Sequence, residues 1–200
     1  MELFRPAWDS GNKEKAVEAV EKTTDEVKLG HVAKEAQCWE ARKAAVEKLT
    51  DQDVLADIAK NADMTHVRCY ISVGKLTDPN VLADVAKNEK DRDVREKAVE
   101  RLTDQDVLAD IAKNDEDSGL REVAVEKLTD QNVLADVAKN DKDSGVRRVA
   151  VKKLTDQNVL ADVAKNDENS FVRKAAVEKL ADQNVPADVA KNDRDSDVSH

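Results

Sequence analysis

The chain has 200 residues, 33 of them basic and 43 acidic, for a net charge of −10. Glu and Lys interleave along its length with no basic stripe, which argues against nucleic acid and against an anionic membrane surface as partners, and no apolar run reaches membrane-spanning length. Two cysteines, Cys38 and Cys69, are too few for an iron–sulfur cluster and read as isolated thiols in a reducing cytoplasm.

The first eleven residues lack the apolar core of a signal peptide, again as expected for a cytoplasmic protein. They hold Phe4, Pro6 and Trp8. Everything downstream is a repeat. Its opening leucine falls at Leu49, Leu76, Leu102, Leu128, Leu154 and Leu180, spaced by 26 residues except for 27 between Leu49 and Leu76. An older copy, Thr24 to Lys34, aligns without a gap with Thr129 to Lys139. Segment 1–23 is therefore a cap and first helix, 24–76 holds degenerate repeats, and 77–200 holds near-identical ones, all in one continuous array.

Each unit predicts two short helices. In the first, helix A, Val133, Leu134, Val137 and Ala138 form one stripe. Asp130 is its expected N-cap, with Thr129 as competitor. Lys139 sits in the last turn, where it complements the helix dipole, and Asn140 suits a left-handed C-terminal cap. In the second, helix B, Val146, Val149, Ala150 and Leu154 form the stripe, widened by Val151, with Asp143 or Ser144 as cap. A single pair buries too little to order itself, so stability belongs to the stack.

Taken in order, Phe4, Pro6 and Trp8 are expected to pack across the first helix and cover the raw apolar end, with Asp9 or Ser10 capping that helix; an aromatic docking site is the alternative. Asn12–Thr23 is a B helix, Asp25–Lys34 a degenerate A helix with His31 where later units carry Asp, Cys38–Leu49 a B helix and Asp53–Lys60 a clean A helix. The stretch Met64–Leu76 carries the one-residue insertion and gathers His66, Arg68, Cys69 and Tyr70 beside Gly74. In the next unit Pro79 follows Asp78 at a first helical position, which suits it. Near the end, Pro186 replaces a leucine, so this end is expected to fray. The chain stops at His200 just after another B helix is due to start. With no C-terminal cap in sight, either the array is a fragment or this end is covered by a partner or by a second copy in end-to-end association.

Two registers of charge run through the array. Arg42, Arg68, Arg95, Arg121, Arg147 and Arg173 recur in helix B, and Asp57, Asp84, Asp110, Asp136 and Asp162 in helix A. Guanidinium groups forked between neighbouring acids or carbonyls would zip adjacent units, a structural role. The acidic loops at Asp115 and Asp141 miss the EF-hand spacing, and the three histidines lack ligand spacing. No phosphate loop or nucleophile motif is present. No cofactor, metal or catalytic residue is expected.

Val146-Arg147-x-x-Ala150-Val151 after an Asp-rich turn resembles the second helix of HEAT-type repeats, and the short period with the Leu-x-x-x-Ala order of helix A resembles the leucine-rich-repeat variant equally. The first unit departs from the pattern, with Ala16 where Arg is due. The resemblance implies an all-α fold, a right-handed α-solenoid of stacked helix pairs that binds a protein or peptide along a groove. Some HEAT-type relatives act as bilin lyase subunits and others as DNA glycosylases. The expected function is thus a non-enzymatic scaffold. Its partner would meet exposed B positions that vary between units: Glu96, Glu100, Arg101, Glu122, Glu126, Arg148, Lys152, Lys174 and Glu178. The alternative is a lyase-like or other enzyme subunit with a site near His66, Cys69 and Tyr70; nucleic-acid binding comes third.

Overall fold

The structure, a computed structural model, describes residues 7–9, 12–61 and 73–180. Among these, all regular structure is helical: a 3-10 turn at Ala7–Asp9 and twelve α-helices of nine or ten residues. In chain order they are α1 (Lys13–Glu21), α2 (Glu26–Glu35), α3 (Trp39–Lys48), α4 (Gln52–Asn61), α5 (Pro79–Asn88), α6 (Arg92–Arg101), α7 (Gln105–Asn114), α8 (Ser118–Lys127), α9 (Gln131–Asn140), α10 (Ser144–Lys153), α11 (Gln157–Asn166) and α12 (Ser170–Lys179). Helices α2, α4, α5, α7, α9 and α11 are the A type; α1, α3, α6, α8, α10 and α12 are the B type. The insertion with His66, Arg68, Cys69 and Tyr70, and the C-terminal stretch with Pro186 and His200, lie outside the described residues. The chain divides into two compact units, Met1–Leu102 and Thr103–His200.

The helices are short because each is started and stopped by the sequence. Asp130 caps α9, its Oδ1 accepting from the N–H groups of Asn132 (2.8 Å) and Val133 (3.3 Å). Asp25, Asp51, Asp78, Asp104 and Asp156 do the same for the other A helices. Thr129, the competitor, is engaged elsewhere. Asp91, Asp117, Asp143 and Asn169 cap B helices, and the Cys38 thiol accepts from Ala41 N–H at 3.4 Å in the same role. Two capping expectations are corrected. Asn12, rather than Asp9 or Ser10, caps α1 through Lys15 N–H at 2.9 Å, since Asp9 is held in the 3-10 turn upstream. Asn140 is not left-handed: no described residue has positive φ, and the chain leaves α9 extended at Asp141, φ −64° and ψ 137°. That exit turns the Asp141 carbonyl toward the Arg147 guanidinium, 2.9 Å away, while the Asn140 amide donates back to Asp136 at 2.8 Å.

In the second unit the core repeats. Leu108, Ile111 and Ala112, then Leu134, Val137 and Ala138, then Leu160, Val163 and Ala164 are buried from the A helices; Leu120, Ala124, Val125 and Leu128, then Val146, Ala150, Val151 and Leu154, from the B helices. Of the expected stripe, Val133 and Val149 are only half-buried, and Val151 is enclosed instead. Helix α7 packs on α8, α9 on α10 and α11 on α12; α8, α10 and α12 also pack closely on one another, whereas α7, α9 and α11 barely touch. The B row is therefore the tighter side of this stack.

The first unit follows the same plan with older parts. Helix α2 packs on α3, α1 on α3, and α5 on α6. Here the A helices α2 and α4 come closer than their counterparts, because buried Gly30 stands where Ala135 stands later. A Cβ at Gly30 would lie 2.6 Å from Val54 Cγ1. The 3-10 turn packs against α1, and the Trp8 ring meets His31 edge-on, 5.3 Å between centroids at 89°. Phe4 and Pro6, the other expected parts of this cover, lie outside the described residues.

Candidate interaction surface

Side chains divide into those that tie one helix pair to the next and those left facing solvent. The arginine row belongs to the first set. Arg121 forks onto the Asp141 carboxylate, Nε to Oδ2 at 2.8 Å and Nη2 to Oδ1 at 2.9 Å, while Nη1 donates to the Asp115 and Glu116 carbonyls at 2.9 and 3.3 Å. Arg147 repeats this on Asp167, at 2.8 and 3.0 Å, and on the Asp141 carbonyl at 2.9 Å. These are bidentate charge-assisted bonds, made by side chains 5% exposed or less. The hydrogen bond from Arg121 to Asp141 leads in raising the arginine pKa above its ordinary value. Arg95 and Arg173 donate to loop carbonyls at Glu89 and Asp167. In the first unit Arg42 Nε donates to the Ala36 carbonyl, but its buried Nη1 has no partner. Arg68 lies outside the described residues.

The acids of helix A do not meet these arginines; they take lysines from the preceding pair. Lys34 reaches Asp57 at 2.6 Å, Lys113 reaches Asp136 at 2.6 Å, Lys139 reaches Asp162 at 2.5 Å, and Lys60 pairs with Asp84. The same carboxylates accept from the Asn four residues on, as Asp136 does from Asn140. Hydrogen bonds first from the lysine, then from the asparagine, hold Asp57, Asp84, Asp136 and Asp162 below the usual aspartate value.

A third seam runs along the start of helix A. Gln131 Oε1 accepts from Thr155 N–H (2.9 Å) and Oγ1 (3.0 Å) of the next pair, and its amide donates to the Lys153 carbonyl at 3.4 Å. Gln105 does likewise toward Thr129 and Lys127, and Gln52 toward Thr77 and Lys75. Glu26 plays this part for Thr50, and those bonds lower its pKa. Pro79 takes the position in α5 and offers neither group. Finally, a cation in the last turn of helix B satisfies end carbonyls of the preceding B helix: Lys48 at Val20 and Glu21, Lys75 at Val46 and Glu47, Lys153 at Glu126. Arg101, which the sequence pointed to as a partner contact, is the same device; its Nη2 donates to the Leu76 carbonyl at 2.9 Å. The signals for these seams were in the sequence as fixed offsets, Lys139 to Asp162 and Arg121 to Asp141, recurring with the period.

The other candidate contacts stand on the B row and none is buried. On α6, Glu96 pairs with Arg92 at 3.0 Å and Glu100 with Lys97 at 2.6 Å. On α8, Glu122 lies half-buried with Oε1 against Gly145, where a Cβ would come within 2.5 Å, and Glu126 is exposed. Arg148, Lys152 and Glu178 are exposed and Lys174 half-buried. In the second unit, Glu122, Arg148 and Lys174 share one register, and Glu126, Lys152 and Glu178 another.

Two concavities lie on the A side. One, about 260 Å³, is lined by Lys113, Asn114, Asp136, Val137, Asn140 and Asp141. The other, about 420 Å³, lies between α2 and α4 over Val27, Gly30, His31 and Val54. Both reuse seam residues, and neither joins a nucleophile to a base. Among the described residues no cluster of His, Cys, Asp and Glu is placed to hold a metal ion, and no helix is long and apolar enough to cross a membrane. The alternative site at His66, Cys69 and Tyr70 lies outside the described residues. No family model matches the sequence, and no curated protein matches it either.

Proposed function

We propose that the chain is a non-enzymatic α-solenoid, a right-handed superhelix of HEAT-like or leucine-rich-repeat-variant type, that binds a cytoplasmic protein or peptide along a groove lined by its B helices. One observation carries this reading. The arginines, the helix-A lysines and aspartates, and the glutamines are spent on joining pairs, and they scarcely vary between the regular units. The solvent-facing B positions change charge between those units, Glu122 giving way to Arg148 and Lys174 and Glu126 to Lys152 and Glu178, as does the loop position held by Glu116, Lys142 and Glu168. Several weak contacts of similar kind, added along a row, are how a repeat array gains affinity. The reading requires no cofactor.

The test is a pair of surface variants carried through the same capture from native cells. One reverses B-row charges (Glu122→Lys, Arg148→Glu, Lys152→Glu); the other changes exposed A-helix residues (Asn132→Lys, Asn158→Lys). A partner lost by the first and kept by the second supports the B row. Partners retained equally by both would retire it.

A further inference from the structure

The B row of the second unit is divided by sign. Helix α8 presents Glu122 and Glu126; α10, in the same two registers, presents Arg148 and Lys152; α12 presents Lys174 and then Glu178. In the first unit, B-row cations sit beside acids of their own helix, as Lys43 does with Glu47 at 3.6 Å and Arg92 with Glu96 at 3.0 Å. Helix α10 instead carries cations at both positions. Arg148, Lys152 and Lys174 have no ion-pair partner among the described residues. Glu122, the acid nearest in register to Arg148, is turned against Gly145.

We infer that Arg148, Lys152 and Lys174 dock an acidic segment of a partner polypeptide, running extended across α10 and α12. This rests on the reading of the B row as the binding face and names its partner class. Charge complementarity selects the occupant. Three cations that form no ion pair on one face attract a multivalent anion held at short range. Arg148 and Lys152 are one helical turn apart, roughly 6 Å, and Lys174 is one layer further on, roughly 8–10 Å. A segment in the extended polyproline II conformation advances roughly 3.1 Å per residue with three residues per turn, so carboxylates three residues apart share one face and match the layer spacing. Half-buried Val149, between the two α10 cations in sequence, gives the segment an aliphatic floor. Glu122 and Glu126 close the α8 side and exclude further acids there.

The probe is a fluorescein-labelled nonapeptide of serine with glutamate at its second, fifth and eighth positions, followed by anisotropy on the full chain at low salt. Matched peptides carry glutamine or lysine instead. The glutamate peptide is expected to bind, and the triple variant Arg148→Glu, Lys152→Glu, Lys174→Glu to weaken it about tenfold, as three exposed pairs would; added salt is expected to weaken it too. A charge-matched control, Lys13→Glu, Lys15→Glu, Lys90→Glu, changes exposed cations of the first unit, outside the two registers of α8, α10 and α12, and should leave binding within about twofold. Circular dichroism checks that both fold. Equal binding of the glutamine peptide, or equal loss in both variants, overturns the inference. If the lysine peptide binds instead and Glu122→Lys with Glu126→Lys abolishes it, the inference falls while the B row stands as a binding face. If no B-row substitution alters either peptide binding or native-partner capture, both fall.

Discussion

The pair α2–α3 in the first unit and the pairs α7–α8 and α9–α10 in the second bury similar apolar stripes but differ in how each is tied to the next pair along the chain. In the second unit two B-helix arginines meet a carboxylate twenty residues on, Asp141 for Arg121 and Asp167 for Arg147. In the first, the residue twenty after Arg42 is Ala62, and Arg42 keeps a buried Nη1 without a partner. The apolar part drifted without harm: Leu29 and Leu55 are as enclosed as Leu134. Apolar contact is non-directional and survives the exchange of one small side chain for another. A guanidinium–carboxylate fork needs both partners, and losing one strands the other.

The largest expected effect comes from giving the second unit the defect of the first. Asp141→Ala leaves Arg121, 1% exposed, without its carboxylate, and should lower stability by about 3–5 kcal/mol, read from the denaturant midpoint. A loss below about 1 kcal/mol, typical of an exposed pair, would show that the fork is not the tie it resembles. Next, Leu55→Ala and Leu134→Ala should each cost about 2–5 kcal/mol, and about equally, since the apolar stripe is the part that the two units share. A marked difference would mean the older pair is also loosely packed.

The reverse repair is smaller. Ala62 aligns with Asp141 in the repeat, so Ala62→Asp should offer Arg42 a carboxylate and stabilise the first unit by about 1–3 kcal/mol, an effect that Arg42→Met in the same chain should erase. Smallest is the response of the lysine–aspartate seam to acid. Asp57, Asp84, Asp136 and Asp162 titrate below the ordinary aspartate value of 3.8. The unfolded chain therefore takes up protons first as pH falls. Their contribution is complete above 3.8 and is lost as pH drops through the lower folded values. These carboxylates are nearly half exposed, 46% at Asp136, so solvent screening keeps the effect modest. Denaturation midpoints measured into the acid range should fall more steeply in the parent than in Asp136→Asn, Asp162→Asn.

How much could be read beforehand depends on the range of each interaction. Asp130 as cap, Pro79 at a first helical position and the two short helices of each unit were legible, because each depends on neighbours within one or two turns. Asn140 was misread for want of a distant fact: whether that chain exit turns left-handed or extended depends on Arg147 waiting for the Asp141 carbonyl. Arg101 looked free because an arginine at that register shows nothing of the Leu76 carbonyl it reaches. Of the B-row surface, the varying positions were visible in the alignment of units. That Glu122 folds against Gly145 while Arg148 stays unpaired was not, since rotamer and pairing depend on the adjacent helix.

The order of amino acids alone determined that this chain is helical, roughly where most helices begin, and which face is apolar, since all three are governed by short-range sterics, capping and a period near 3.6. Only the packed structure decided which charges hold the pairs together and which are left facing solvent. Arginine, lysine and glutamine find their acceptors 20 to 25 residues away, a separation at which any of several acids would have served until the helices were laid side by side.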